Sequence, residues 1–444
     1  MFNVFSFFSN IAFMFDVCFI FIYEFICFKT NGNYVKFIHN VANKLSKKNI
    51  LYVKAFQAVS LDNNLIDSAI NSELLKYTDS APYTDDDVDY DLLMTLIKKY
   101  GLQPFQPFEK VEPINSGMIS LVYKMTKLDT NKTVVLKIKR KNIDQKLDDA
   151  IEKLLFTIYL ISYIPYLNTL NIPLSIKNNI LLLRQQLDFH EEIKNTIEMA
   201  ENCKHLKYIK IPKIHQKVTA EFPNVIVMEY IQGTHISKLN EADYEQYAKL
   251  ILKYGFVSLI NNSVTHGDLH AGNILFIKND KNDTTIPEYQ IGIIDFGIVI
   301  RINKKTTDLF LNVVPTMFSQ SGKNIIQQIL ENIIEPPDAF SRIPNEHKEK
   351  LYNELGSIID DIIHKSKEAN QTRIYEILKI FNEYLNNHNL KKYNVCVSDD
   401  FIKIQMALAM SHGASMCLCK NDYITFANNV LNELFHTNLL YLDE

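Results

Sequence analysis

His266-Gly267-Asp268-Leu269-His270-Ala271-Gly272-Asn273-Ile274-Leu275-Phe276 is the stretch on which the reading of this chain turns. An Asp is followed five positions later by an Asn, and an apolar run that predicts a strand comes next. A phosphoryl-transfer loop needs that arrangement. Its Asp accepts a proton from, or orients, the attacking hydroxyl, and its Asn oxygen binds a metal ion held on nucleotide phosphates. Downstream, Ile291-Gly292-Ile293-Ile294-Asp295-Phe296-Gly297 predicts a buried strand ending in Asp-Phe-Gly, with Asp295 as the candidate for the other metal. An Asp-Phe-Gly arises easily by chance. The two motifs in this order, each on an apolar strand, are far more specific than either alone. The competing reading is that His266 and Asp268 merely cap a loop.

At 444 residues the chain can bury one large core or form two lobes. A composition 47% hydrophobic and 22% charged reads as globular. The formal net charge of -4 gives no general polyanion-binding signal, so nucleic acid is not an expected partner. The six cysteines, Cys18, Cys27, Cys203, Cys396, Cys417 and Cys419, lack paired metal-site spacing and read as reduced, mostly buried thiols of an intracellular protein.

The first 28 residues are rich in Phe and Ile and contain no Lys or Arg. A secretory signal wants a basic start and a transit peptide wants arginines, so neither is expected. Val17 to Tyr23 is apolar enough for a bilayer, yet Asp16 and Glu24 interrupt the stretch. Residues 1–30 therefore read either as a membrane anchor or as a helix packed on its own protein. Residues 31–100 read as a helical extension, with helix predicted from Tyr34 to Leu75 and an acidic linker from Thr78 to Asp91.

Residues 101–230 carry a nucleotide-lobe pattern. Ile114 to Lys124 is a hairpin candidate with a small-residue centre, where a backbone can approach phosphates and aim N–H groups at them. Asn115, Ser116 and Gly117, with Val122 on the following strand, are the candidate nucleotide contacts there. Val134 to Lys139 predicts a strand. Lys137 fills the position where a cation holds α/β-phosphates, but period-two alternation puts Lys139 on the same face, so spacing alone leaves both open. Leu147 to Ala200 predicts helix, from which Glu192 is the candidate carboxylate to fix that lysine. Val225 to Glu229 predicts a strand leading into a hinge, where the backbone at Glu229 and Tyr230 can meet an adenine edge. Residues 231–444 read as a helical lobe, with an amphipathic helix over Glu241–Asn261 and almost all helix after Asp295. No Ala-Pro-Glu and no long hydroxyl-rich activation segment follow, which argues against an ordinary Ser/Thr/Tyr kinase.

Taken together, these residues resemble the AarF-domain (UbiB/ADCK-type) atypical kinases over roughly Tyr34 to Ala414. The resemblance implies a protein-kinase-like two-lobed α+β fold. It has a small antiparallel sheet in the N-lobe, an extra N-terminal helical layer and a helical C-lobe. It implies ATP and Mg2+ as cofactors, with Lys137 on the phosphates, Glu192 as its ion-pair partner and Asp268 as the catalytic Asp. Asn273 and Asp295 are the implied metal ligands, and the hinge at Glu229-Tyr230 is the implied adenine site. Three motifs depart from the family. Its Lys-x-Gly-Gln reads Lys54-Ala55-Phe56-Gln57, its Glu-x-Asp reads Gln186-Leu187-Asp188, and its Ala-rich loop reads Asn115-Ser116-Gly117-Met118. Lys54, Gln57 and Asp188 are thus the family-specific regulatory positions, and the lost carboxylate at Gln186 implies altered gating.

The leading expectation is an ATP- and Mg2+-dependent kinase or ATPase. By resemblance it would be tied to isoprenoid-lipid (quinone) metabolism at a membrane, with a lipid or isoprenoid precursor and a membrane surface as partners. A small-molecule kinase of the aminoglycoside/choline phosphotransferase type shares the His-Gly-Asp-Leu-His-x-Gly-Asn run. It lacks the extension carrying Lys54 and Gln57, and it lacks the Asp188…Glu192 spacing. A nucleotide-binding pseudokinase scaffold is the third reading, kept alive by the altered motifs.

Overall fold

The computed structural model describes residues 4–49, 51–52, 81–105, 111–161, 184, 186–283, 285–316, 320–368, 396–419 and 423–436. The family-specific positions Lys54 and Gln57 lie outside the described residues. The chain divides into two compact units, Met1–Ile197 with Pro212–Ile231, and Glu198–Ile211 with Gln232–Glu444.

In the first unit, α1 (Val4–Asn31) and α2 (Tyr34–Lys48) form a helical hairpin. Gly32 takes a positive φ at the turn, and the Asn33 side chain caps α2 by accepting from the Lys36 N–H. The two carboxylates that interrupt the apolar stretch are both met by α2. Glu24 is buried and accepts from Lys44 at 2.5 Å and from Asn40 at 2.9 Å, and Asp16 pairs with Lys48. The other side of α1 exposes Phe15, Phe19, Ile22 and Ile26. Cys18 is exposed there too. Among the five cysteines whose exposure is described only Cys203 is buried, so the expectation of mostly buried thiols is corrected. α2 ends at Lys48, where Asn49 turns extended and donates its side-chain amide to the Ala150 carbonyl; Leu51 and Tyr52 are helical again, and the rest of the helix predicted to Leu75 lies outside the described residues.

The acidic run is not a solvated linker as far as it is described. Ala81–Val88 is ordered, Asp87 is buried against Arg140 and Lys146, and Asp89 caps α3 (Tyr90–Tyr100). Gly101 ends that helix in the left-handed conformation, where a side chain would be strained. The antiparallel sheet comprises β1 (Leu102–Pro104), β2 (Asn115–Ser116), β3 (Ser120–Lys127), β4 (Lys132–Lys139) and a later strand, β6 (Val225–Glu229). Its order is β1-β3-β4-β6, with β2 also on β3. Alternation along β4 sends Val134, Leu136 and Ile138 toward Leu93, Leu96 and Ile97 of α3. The opposite face packs Val135, Ile226 and Met228 against α4 (Ile143–Ile161) and the start of α5 (Phe189–Asn202). Helix does not run unbroken from Leu147 to Ala200: residues 186–188 turn, and the Asp188 carboxylate accepts from the His190 and Glu191 N–H groups to start α5.

In the second unit, β5 (Ile209–Lys210) joins β8 (Ile274–Lys278) and β9 (Tyr289–Ile293) in a three-stranded sheet, and β7 (Val264–His266) pairs with β10 (Val299–Arg301). Between β5 and β6 the first unit adds the short helix α6 (Gln216–Glu221). Helix α7 (Tyr244–Asn262) starts later than expected and is not amphipathic. From Tyr254 to Ile260 every residue is buried, because helices and both small sheets pack around it. The remainder is largely helical: α8 (Lys304–Thr316), α9 (Gly322–Ile333), α10 (Pro337–Ser341), α11 (Asn345–Glu368), α12 (Asp399–Met416) and α13 (Tyr423–His436). Short strands β11 (Ile334–Glu335) and β12 (Cys396–Val397) pair among them, as β10 does with β7, so this region is less uniformly helical than its sequence predicts.

His412 of α12 lies edge-on to Tyr423 of α13, whose hydroxyl is 2.8 Å from Nδ1. Burial pushes the imidazole down to about 3. Between the usual value of 6.5 and the folded one, only the unfolded chain takes up this proton, so stability falls as pH drops below 6.5. Urea denaturation of the natural chain and His412→Leu at about pH 7.5 and about pH 5 checks this: the stability gap between them shrinks at the lower pH.

Candidate functional site

The first unit holds the candidate lysine, the candidate loop and the end of β6. Lys137 sits on β4 between Val122 of β3 and Ile226 of β6. Its ammonium is 2.5 Å from the Glu192 carboxylate in the first turn of α5, and both side chains are buried. The Phe189 ring lies near this lysine and near Lys139, with ammonium-to-centroid distances of 5.7 and 5.5 Å. Burial separates the two lysines that spacing left open: Lys137 is buried in an ion pair, while Lys139 is half-buried.

Asn115, Ser116 and Gly117 form the loop before β3, with the Asn115 backbone registered against Val122. Gly117 N–H donates to the Ser120 carbonyl, closing the loop at 2.9 Å. Arg140, immediately after β4, donates to the Gly117 carbonyl from Nε at 3.0 Å and from Nη2 at 2.7 Å. The sequence reading missed this residue. A basic run, Lys139-Arg140-Lys141, gives no sign of which member turns inward; only the acidic residues upstream hinted at a partner. Where the sequence predicts a hinge, β6 ends on Glu229, whose N–H donates to the Lys213 carbonyl, and Tyr230 follows with the Lys124 ammonium 4.1 Å from its ring centroid. Asp188, exposed, acts locally as the cap of α5.

The second unit gathers Asp268, Asn273 and Asp295. β7 delivers His266, and Gly267 then passes so close to the chain entering β10 that an added Cβ would lie 2.5 Å from the Ile298 side chain. The Gly267 N–H donates to the Ile298 carbonyl at 2.9 Å. His266 Nδ1 accepts from the Asp268 N–H at 3.0 Å, so its proton sits on Nε2, which meets the Asp295 carbonyl. Burial holds His266 below its ordinary value, which favours this neutral ring. One imidazole thus ties the Asp268 turn to the Asp295 turn. The β8–β9 hairpin does the same from the other side. Ile274 pairs with Ile293, so Asn273 lies opposite Ile294, whose N–H donates to the Asn273 carbonyl at 3.2 Å. The Asn273 amide nitrogen donates to the Asp268 carbonyl at 3.0 Å, leaving its oxygen as the end that can face a cation. Asp295 Oδ1 accepts from the Gly297 N–H at 2.9 Å. His270 accepts from Gly272 N–H through Nδ1, and its Nε2 is 3.9 Å from the Asp268 carboxylate.

Among the described residues no group of three or more His, Cys, Asp or Glu side chains could hold a metal by itself. An amide oxygen and a carboxylate are hard donors, and two protein ligands suit Mg2+, which fills its other positions with phosphate oxygens and water. The donor set fits that ion and does not fit zinc, which takes nitrogen and sulfur ligands.

A buried lysine held by a helix carboxylate in one unit, and an Asp…Asn…Asp set at a hairpin end in the other, are residue types that an atypical kinase-like protein requires. Residues 76–329, more than half of the chain, match the sequence profile of the ABC1 atypical kinase-like domain, and the chain belongs to that family. Its relatives include an ABC1 family protein MCP2 homolog of Schizosaccharomyces pombe, 24% identical over 62% of this chain and 49% of that protein. A probable protein kinase UbiB of Tolumonas auensis is 21% identical over 82% of this chain and 64% of that one. The chain thus spans about half to less than two thirds of the length of these relatives. A Mycobacterium tuberculosis protein solved in complex with erythromycin aligns over 85% of this chain and 90% of its own, with a TM-score of 0.44 and 15% identity.

Removing one member of a buried ion pair strands the other charge. Glu192→Gln is predicted to destabilise the chain by about 3–5 kcal/mol, read as a lowered urea midpoint, whereas Glu191→Gln next to it, at an exposed carboxylate, changes the midpoint little.

Proposed function

We propose that this chain binds ATP with Mg2+ and transfers or hydrolyses the γ-phosphoryl group, as an ABC1-type kinase or ATPase. One observation carries the proposal: a hairpin end and a buried imidazole hold Asp268, Asn273 and Asp295 together by hydrogen bonds. In this reading Asp268 orients the attacking hydroxyl or water and accepts its proton. The Asn273 oxygen and the Asp295 carboxylate hold the metal, which neutralises charge on the phosphates when bound. Lys137, kept in place by Glu192, offsets charge on the α/β-phosphates, and Asn115–Gly117 and Val122 line the nucleotide. The backbone at Glu229 and Tyr230 receives adenine. Catalysis here is mainly positioning and electrostatics, with little covalent chemistry for the protein to perform.

The resemblance extends this to isoprenoid-lipid (quinone) metabolism at a membrane surface. α1 supports that part: Phe8–Asn31 is long and apolar enough to cross a membrane by length and composition, and much of its apolar surface is turned away from α2.

ATP turnover by the purified chain, with and without anionic lipid or a quinone-precursor mimic, tests the proposal. Asp268→Asn is expected to lower turnover by about 100-fold or more, the usual scale for losing a general base. Turnover that survives Asp295→Asn unchanged contradicts the assigned site. Tight ATP binding by the natural chain with no turnover under any condition favours a scaffold.

A further inference from the structure

Arg140 is buried to 4% exposure, and its five donors are spent in an unusual way. Besides the two bonds to the Gly117 carbonyl, Nη1 donates to the Pro82 carbonyl at 2.8 Å and Nη2 to the Ala81 carbonyl at 3.3 Å. One bond goes to a charge, Nη1 to Asp87 at 3.1 Å. Neutralising a guanidinium needs only a carboxylate. Bonds to backbone carbonyls on two separate segments instead fix where those segments lie. The two are also joined directly: Ala81 N–H donates to the Ser116 carbonyl at 2.7 Å, and Ser116 Oγ to the Ala81 carbonyl at 2.6 Å. Asp87 is itself fixed by Lys146 at 2.5 Å and by the Thr84 N–H at 3.0 Å. Arg140 N–H accounts for a further loop carbonyl, that of Ile119, at 2.9 Å.

The loop does not owe its shape to its glycine. A Cβ at Gly117 would sit in ordinary contact, 3.5 Å from the Ser120 carbonyl, and Gly117 has no positive φ. What defines the loop is the anchoring of its carbonyls. A trans peptide points its C=O and N–H in opposite directions. Holding the Gly117 carbonyl on the guanidinium therefore turns the Met118 N–H to the other side, as a phosphate-binding loop requires.

We propose that Arg140 is the positioning residue of the phosphate-binding loop, and that the Ala81–Asp87 segment sets the loop's grip on nucleotide phosphates through it. The inference rests on the nucleotide-binding reading above. It predicts a loss confined to the phosphates. Arg140→Lys keeps a positive charge but cannot span both segments, and Asp87→Asn frees the far side of the guanidinium while leaving the loop contacts in place.

Competition against a fluorescent ATP analogue measures ATP and adenosine affinity in the full chain and both variants, with thermal melts as a check of folding. Arg140→Lys is expected to weaken ATP about tenfold and to leave adenosine unchanged, and Asp87→Asn to shift ATP the same way by less. ATP affinity unchanged in Arg140→Lys overturns the inference alone, and so does an equal loss of ATP and adenosine, which marks a merely structural arginine. If Arg140→Lys does not fold, Asp87→Asn decides by the same ATP-to-adenosine comparison. Failure of the natural chain to bind ATP overturns the nucleotide reading, and this inference with it.

Discussion

A buried cation must be matched, and the first unit is arranged around that requirement. β4 and the residue after it carry Lys137 and Arg140 into the interior, where an unpaired charge would cost several kcal/mol. Each fixes the position of a neighbouring element. Lys137 takes Glu192 and so fixes the first turn of α5 on the sheet. Arg140 takes Asp87 and so orders a stretch of sequence that is otherwise acidic and turn-rich. Hydrophobic packing supplies most of the stabilisation on both faces of the sheet, but it is not directional. The ion pairs set which helix turn and which loop carbonyl face the strand.

The second unit solves a different problem, holding the Asp268 and Asp295 turns next to each other. It does so with neutral groups. His266, kept uncharged by burial, accepts from one turn and donates to the other. The amide of Asn273 ties itself to the Asp268 carbonyl, which leaves its oxygen for a cation. The neutral imidazole ties the two turns through their backbone groups.

Much of this was legible in the sequence because it is local. The strand, turn and strand around Asp268, and the Asp-Phe-Gly after β9, are encoded by spacing within about thirty residues, and the small antiparallel sheet follows from alternation along β3 and β4. What escaped the sequence depends on contacts between distant segments. Alternation could not choose between Lys137 and Lys139, because burial is decided by α5, fifty residues on. The acidic run before α3 reads as a linker, and only the structure shows Asp87 within it buried against Arg140. The helix through Gln186 to Asp188 breaks because Asp188 prefers to cap rather than continue, a competition that periodicity does not register. α7 has the composition of a half-exposed helix, and only the helices and sheets packed around it make it buried on nearly every side.

The central claim is that Asp295, with Asn273, holds a divalent cation that binds together with ATP. Mn2+ in place of Mg2+ makes that cation visible by electron paramagnetic resonance, in titrations of the chain with and without ATP. The account predicts that ATP tightens Mn2+ binding to the natural chain, that Asp295→Asn abolishes the tightening, and that Lys137→Met weakens ATP while the ion is still retained at high ATP. Equal Mn2+ binding by the natural chain and Asp295→Asn, with ATP present, would contradict it.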